Sequence, residues 1–303
     1  MTTPQIRITD PRSLPVTFGQ KARAYVELTK PRIIELLLTT TLPAMVVAAG
    51  GWPGTWLVVA TLVGGTLSSG GANAINQVID RDIDRVMART RRRPIPTGRV
   101  SERAAVGFGL VLGVAGFAWL WATVNLLAAL LSTAALAFYV LVYSMALKRS
   151  TTQNIVIGGA AGSVPALVGW AAVTGSVALP AWVMFAVVFF WTPPHFWALA
   201  IRYRDDYAAA GVPMLPVVVG VERALDHILA YSVVLVGVSL LLPATGAVGW
   251  IYLTVAAGLG VWLVAGTWRL RRAPEEAMRF FGYSNVYLAV LFLAMALDPL
   301  LLG

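Results

Sequence analysis

Nine long stretches of this chain carry almost no charge, at about 33–50, 55–79, 104–122, 124–145, 154–173, 180–200, 225–243, 249–268 and 281–301. A helix rises 1.5 Å per residue, so about 20 apolar residues cross the hydrocarbon of a bilayer. The runs are continuously apolar, whereas a barrel strand would be short and would alternate. The sequence therefore predicts an all-α integral membrane protein of nine transmembrane helices. Composition agrees: of 303 residues only 12% are charged, about half the fraction usual in a soluble domain. The chain has no cysteine, which excludes a disulfide scaffold, thiolate metal sites and cysteine nucleophiles.

The net charge of +9 would suggest nucleic acid in a soluble protein, but its distribution says otherwise. The 23 Lys and Arg residues fall as six in 1–32, eight in 81–103, two at 148–149, three in 202–223 and four in 269–279. With nine spans, all five segments lie on one face, and the opposite connections contain none. The positive-inside rule makes that face cytoplasmic, with the N-terminus inside and the C-terminus outside. Residues 1–32 lack an apolar core and read as a cytoplasmic tail with room for a surface helix rather than a signal peptide; residues 33–303 form the transmembrane domain. No nucleic-acid partner is expected, and the lipid bilayer is.

The inner loops 80–103 and 201–223 are long and charged, so chemistry belongs on that side. In the segment Asn76-Gln-Val-Ile-Asp80-Arg-Asp82-Ile-Asp84, a 3.6-residue period puts Asn76, Asp80 and Asp84 on one helix face and turns Asp82 away. Converging carboxylates repel. A hard divalent cation relieves this, and Mg²⁺ characteristically takes one or two carboxylates together with phosphate oxygens and water. The competing reading is a solvated helix end paired with Arg81 and Arg85. Arg89, Arg91, Arg92, Arg93 and Arg99 crowd the same loop and suit phosphate, although topology or lipid contact is the commoner role for any single one. The second loop, Arg202-Tyr203-Arg204-Asp205-Asp206-Tyr207, again places acids, bases and tyrosines directly after a span. Adjacent Asp205 and Asp206 diverge on a helix, so only one faces a shared cavity. Lys148 and Arg149 fit either a phosphate or a topological role.

Within the sixth span, Trp191-Thr-Pro193-Pro194-His195-Phe196-Trp197 carries a double proline that should disturb the helix and an intramembrane histidine. His195 reads as a metal ligand, an acid/base, or a buried ring bonded to a helix carbonyl. Glu35 is similarly open, while helix capping suffices for Asp226 and His227. The GxxxG spacings Gly109/Gly113 and Gly158/Gly162 permit close helix packing. No Walker motif, dinucleotide-binding glycine pattern or zinc-protease signature is present.

Taken together these motifs resemble the membrane-embedded prenyltransferases of the UbiA superfamily, and within them the branch that acts on heme. The resemblance rests on Asn76-xxx-Asp80-xxx-Asp84 continuing to Arg93-Pro94, on Lys148-Arg149 through Asn154 with Gly158-Gly159-Ala-Ala-Gly162, on Pro193-Pro194-His195-Phe196-Trp197, and on Asp206-Tyr207 followed by Pro213-Met-Leu-Pro216. It covers about residues 28–220; the last third is similar mainly in hydropathy. It implies nine helices around a lateral cavity whose cytoplasmic mouth holds Mg²⁺ and farnesyl diphosphate. Asn76, Asp80, Asp84 and Asp206 are then the metal positions. Arg89, Arg93, Lys148, Arg149 and Arg202 would bind diphosphate, Tyr203 and Tyr207 would stabilise cationic character, and His195 would serve the heme B acceptor. The wider superfamily often has a second DxxxD where this chain reads Tyr203-xx-Asp206-Tyr207, which puts a second fully carboxylate-bound metal in doubt and favours the heme branch over quinone prenylation. A downstream heme-modifying enzyme or terminal oxidase assembly is the protein partner implied, and the cell inner membrane the location. A transporter is the rival from another class, but transporters place charged sites near the bilayer midplane, whereas this carboxylate cluster lies at one edge.

Overall fold

A computed structural model describes residues 17–302, apart from the side chains of 32, 33 and 35–38. The Glu35 side chain and residues 1–16 of the N-terminal segment therefore lie outside what is described. Thirteen helices follow in order: α1 Phe18–Thr29, α2 Pro31–Ala49, α3 Thr55–Ile79, α4 Arg81–Val86, α5 Glu102–Thr123, α6 Leu126–Leu147, α7 Asn154–Thr174, α8 Leu179–Arg202, α9 Arg204–Ala209, α10 Leu215–Val218, α11 Val221–Ser239, α12 Trp250–Arg272 and α13 Ala277–Leu302. Eight are long and apolar enough to cross a membrane, and α2, with 19 residues, completes the nine expected. The described residues contain no strand.

The ends of these helices are set by local chemistry. Left-handed glycines, Gly50 (φ 62°) and Gly175 (φ 66°), stop α2 and α7, a conformation that costs a residue without Cβ little. Asn125 starts α6 by accepting the Ala128 N–H at 2.8 Å, and Ser101 caps α5 through Ala104 N. The buried carboxylate of Asp298 accepts the N–H groups of Gly249 (2.8 Å) and Tyr252 (2.7 Å), so a residue near the end of α13 caps the start of α12.

Each long helix packs on the next, and α13 returns to α2, closing a ring. Contacts of α2 with α7 and of α8 with α13 fill the middle. The tightest pair is α3 with α5. A Cβ on Gly71 would meet the carbonyl oxygen of Gly109 at 2.6 Å and the nitrogen of Gly113 at 2.9 Å. Backbone cannot yield as a side chain can, so the glycine spacing at 109/113 serves close helix packing.

Large apolar side chains such as Val111, Val114, Leu141, Val261 and Leu293 point outward, which suits lipid rather than water as solvent. Exposed Trp52, Trp56, Trp121, Trp182 and Trp250 all sit at the helix ends away from the charged loops, where an interfacial belt of aromatic residues is expected. The charged loops gather at the other end. The double proline does not break α8, which runs unbroken from Leu179 to Arg202. Packing against α7, α11 and α13 holds it, as neighbouring helices do for proline within membranes.

Because the chain has no native cysteine, single cysteines at exposed Thr97 and Ser176 give a clean topological test. They should react with an impermeant thiol reagent from opposite faces of a sealed vesicle. Labelling of both from one face would refute the nine-span arrangement.

Candidate active site

The last turns of α3 are polar, and each side chain is committed. Asn73 donates to the carbonyl of Thr29 at 3.0 Å, and Gln77 to those of Glu27 and Leu28 at 3.1 and 3.0 Å. Carbonyls at a helix C-terminus lack intrahelical partners, so these two amides dock α1 onto α3. Part of the segment before the first span is thereby built into the fold, with Ala24 and Leu28 buried.

Lys30 stands between α1 and α2 with φ 54° and ψ 66°, the one non-glycine positive φ among the described residues. Its successor is proline, which disfavours the right-handed helical region for the residue before it, and the left-handed alternative costs roughly 1–2 kcal/mol. That conformation carries Nζ to Asn76 Oδ1 at 2.6 Å. Desolvation, reinforced by repulsion from Arg93 and Lys148 and opposed by Asp80 and Asp84, lowers the Lys30 ammonium to about 7.

Asn76, 1% exposed, uses its amide nitrogen twice, donating to Asp80 Oδ2 and to Ser144 Oγ, both at 2.9 Å. Ser144 belongs to the second part of α6, Phe138–Leu147, which is wound as a π-helix. Its hydroxyl donates to the carbonyl of Tyr139, five residues back, at 2.8 Å, and the Lys148 N–H bonds the carbonyl of Tyr143 at 2.9 Å. Wide turns of this kind concentrate at functional sites. Here they bring Ser144 to Asn76 and the Lys148 ammonium to Asp80 Oδ2 at 2.5 Å. The ring of Tyr143 lies where a Cβ on Gly158 would fall, so that glycine makes room for it.

Asp80 and Asp84 are both buried, at 1% and 2% exposure. The face they share is not one continuous helix. Asp80 is the junction residue (φ −86°, ψ 4°) between α3 and α4, yet its carbonyl still accepts the Asp84 N–H at 2.8 Å, so the four-residue spacing survives. Both oxygens of Asp84 accept from one terminal nitrogen of Arg93 at 2.9 Å. Asp80 Oδ1 is sealed from solvent and has no partner.

Asp82 points away, as the spacing predicts. It is exposed and makes a two-pronged pair with Arg149, both contacts at 2.6 Å. That guanidinium holds the Asp82 carboxyl well below the usual carboxylate range, and the carboxylate in turn raises Arg149. Arg149 also donates to the carbonyl of Ile79. The pair lines a surface cavity of about 380 Å³ with Ile79, Arg81, Ser144 and Met145. Arg81 binds Glu102 at 3.1 Å rather than an aspartate of its own helix.

Across the site stand two tyrosines, Tyr203 at the junction of α8 and α9 and Tyr207 within α9. The guanidiniums of Arg89 and Arg202 stand over the Tyr203 ring at 5.5 and 5.7 Å, and Arg89 meets the Tyr207 hydroxyl at 3.5 Å. Burial pushes the Tyr207 phenol up, against the opposing pull of Arg89 and Arg93. Tyr203, Tyr207 and Tyr143 pack in one cluster with Ile83 and Met87, which joins the two charged loops. Asp206 is half-buried and makes neither a side-chain hydrogen bond nor an ion pair. Among the described residues no three His, Cys, Asp or Glu side chains converge as a metal site.

His195 lies deeper in α8, 4% exposed. Its Nδ1 is 2.7 Å from Ser284 Oγ on α13, and its ring is stacked between Trp191 and Phe281, with centroids 4.2 and 4.1 Å away. It is bonded to a side chain of another helix and not to a carbonyl of its own.

The sequence model of the UbiA prenyltransferase family matches residues 37–296. The chain belongs to the UbiA prenyltransferase family. Among curated relatives it is similar to "Protoheme IX farnesyltransferase" of Gloeobacter violaceus, 54% identical over 92% of each chain. It is similar also to the protein of that name from Clavibacter sepedonicus, 52% identical over 93% of this chain and 94% of the other. The same fold appears in a UbiA homolog from Archaeoglobus fulgidus solved with DMAPP and Mg²⁺. That structure superposes with a TM-score of 0.66 at 20% identity, covering 90% of this chain and 98% of its own. The UbiA fold accounts for the ring of helices with its charged loops at one end.

The two arginine–aspartate pairs should differ sharply in weight. Arg93→Met strands a buried carboxylate and should lower stability by about 3 kcal/mol. Arg149→Met breaks an exposed pair and should cost less than about 1 kcal/mol. Thermal unfolding in detergent without Mg²⁺ measures both, and equal shifts would contradict this account of the burial.

Proposed function

We propose that this chain transfers a farnesyl group from farnesyl diphosphate to a vinyl group of protoheme IX with addition of water, giving heme O and diphosphate. The observation that carries the chemistry is the pair of sealed carboxylates, Asp80 and Asp84, paired with the chain's own Lys148 and Arg93, with Asp80 Oδ1 left without a partner. The heme acceptor and the farnesyl donor are supported by the names of relatives above 50% identity across nearly the whole chain.

The residues fit Mg²⁺. An orphaned carboxylate oxygen and a second carboxylate four residues on form an oxygen donor set that phosphate and water would complete. Asp80 and Asp84 would hold the ion; Asn76 is engaged with Lys30 and Ser144, and Asp206 is the candidate for a further ligand from the second loop. Bound there, Mg²⁺ supplies charge neutralisation for the departing diphosphate.

The chain's own groups supply the rest. Lys148 and Arg93 stand on the carboxylates and would be free to turn to phosphate oxygens with a cation held there, and Arg89 and Arg202 stand at the same mouth. Guanidinium groups suit phosphate in geometry and charge, and placed donors stabilise the charge that develops on the leaving group. Arg149, held by Asp82, is at the edge of this set. The carbon–oxygen bond of farnesyl diphosphate breaks with its electrons going to diphosphate. The terminal vinyl carbon then bonds the farnesyl C1. Positive charge is left on the carbon beside the macrocycle, where water adds and loses a proton. The rings of Tyr203 and Tyr207 face cationic groups well, and His195 serves the acceptor side. The positive-inside rule puts this mouth on the cytoplasmic face of the cell membrane, with α1 and Lys30 packed onto the catalytic domain of residues 33–303.

Asp80→Asn and Asp84→Asn should each reduce farnesyl transfer at least a hundredfold while leaving membrane insertion intact, whereas Asp82→Asn should retain most activity. Purified protein with farnesyl diphosphate and Mg²⁺ is assayed against heme B and against 4-hydroxybenzoate, the acceptor of the quinone reading; conversion of 4-hydroxybenzoate alone would overturn the acceptor assignment. Mass spectrometry of the porphyrin should show one farnesyl group plus one hydroxyl, and in ¹⁸O-labelled water that hydroxyl should carry the label. A dehydrated product would remove the capture step.

A further inference from the structure

The hydrogen bonds around His195 determine which of its nitrogens is available. Ser284 has one hydroxyl proton, and it is given to the carbonyl of Phe281 at 2.8 Å. Ser284 Oγ therefore accepts from His195, and the ring proton sits on Nδ1. Nε2 is left with its lone pair. It has no hydrogen-bond partner, yet it is not among the sealed, partnerless polar atoms of the interior.

The ring cannot turn to exchange its nitrogens. Trp191 and Phe281 cover its faces at interplanar angles of 21° and 25°, and Phe196 meets it edge-on. Trp191 is itself anchored, its indole N–H donating to the Ser284 carbonyl at 2.7 Å. Ser284 thus holds both the histidine and the tryptophan that covers it. With both faces covered and Nδ1 engaged, the one polar position of the ring that no hydrogen bond takes up is Nε2, whose lone pair lies in the ring plane.

A lone pair in that position discriminates between the parts of a metalloporphyrin. A propionate carboxylate needs a donor and is repelled by an unprotonated nitrogen; a Lewis-acidic metal centre needs the lone pair. Histidine ligands to metals are recurrently oriented by a hydrogen bond from their other ring nitrogen. The depth also fits. His195 precedes Arg202, at the charged end of α8, by seven residues, or about 10 Å of helix. Its neighbour Phe196 packs in the cluster that contains Tyr143, Tyr203 and Tyr207.

Resting on the heme reading above, we propose that His195 Nε2 ligates the iron of the acceptor porphyrin, and that Ser284 on α13 is the positioning residue that fixes the ring and its tautomer for this role. The iron is then the handle by which the acceptor is oriented.

The test titrates the full-length protein in detergent with ferric heme B and reads the Soret band and the electron paramagnetic resonance spectrum. The wild-type protein should give a nitrogen-ligated spectrum. His195→Ala should lose it, and added imidazole should restore it. Ser284→Ala should weaken heme binding about tenfold or more, as loss of a partner orienting a metal ligand typically does, while Ser284→Thr retains it. Metal-free protoporphyrin IX should bind wild type and His195→Ala alike. Mg²⁺-dependent binding of farnesyl diphosphate, followed by calorimetry, should be unchanged in every variant and shows that each is folded. If Ser284→Ala fails that control, His195→Ala with imidazole and Ser284→Thr decide. An unaltered iron spectrum in His195→Ala overturns the ligation, and unaltered affinity and spectrum in folded Ser284→Ala overturn the role of Ser284. If the wild type farnesylates heme while His195→Ala keeps its spectrum, only the ligation fails. If the wild type neither farnesylates heme nor gives a heme spectrum, the acceptor reading fails and the ligation with it.

Discussion

Two anionic side chains sealed at the edge of an apolar bundle cannot stand alone. Removing a carboxylate from water costs several kcal/mol, and breaking a buried pair by deleting one partner is strongly destabilising. Much of the local architecture around Asp80 and Asp84 answers that cost. The left-handed backbone at Lys30, the wide winding of Phe138–Leu147 and the return of Arg93 from the loop each deliver a cation or a donor to this one cluster. Each is unfavourable or unusual in isolation, and each is retained where the carboxylates require it. The resulting site is held in balance by groups that a polyphosphate and a divalent ion would redistribute rather than create.

The bilayer explains why the rest of the fold can be simple. Lipid leaves backbone groups no partners, so the spans are helical throughout, and helices gain little from burying apolar surface against one another when the surroundings are equally apolar. Association then relies on close backbone approach and on buried hydrogen bonds. Gly71 against Gly109 and Gly113 provides the first. Tyr252, donating to the Ser239 carbonyl, and Trp191, donating to the Ser284 carbonyl, provide the second in the later half. Arg93 and Lys148 belong to the first part of the ring and Ser284 to its last helix, so the carboxylate cluster and the His195 cradle rest on separate parts of the scaffold.

How much of this was legible beforehand follows the range of the interactions. Long apolar runs report span positions directly, and the 100° step of a helix correctly turned Asp82 away from Asp80 and Asp84. Local rules misled where tertiary packing intervened: the double proline suggested a disturbed helix, and α8 is continuous. Lys30, Ser144 and Ser284 were not singled out because their roles depend on partners 46, 68 and 89 positions away. A serine in an apolar span has no pattern of its own. Lys30 did carry a faint signal, a lysine placed directly before the proline that opens a span. The π winding has no counterpart in hydrophobic periodicity, which continues through it unchanged.

The closing of the ring by α13 has a consequence for how the molecule is made. Every cation and amide that holds Asp80 and Asp84 precedes residue 150, so this cluster can assemble while the chain is still being synthesised. The cradle around His195 needs Phe281 and Ser284, and α12 needs Asp298 to cap its start. Until the final helix enters the membrane, the nascent protein holds a paired carboxylate cluster and an unfinished interior. The order of synthesis therefore separates in time two buried polar clusters of one fold, and insertion of α13 is the event that completes the second.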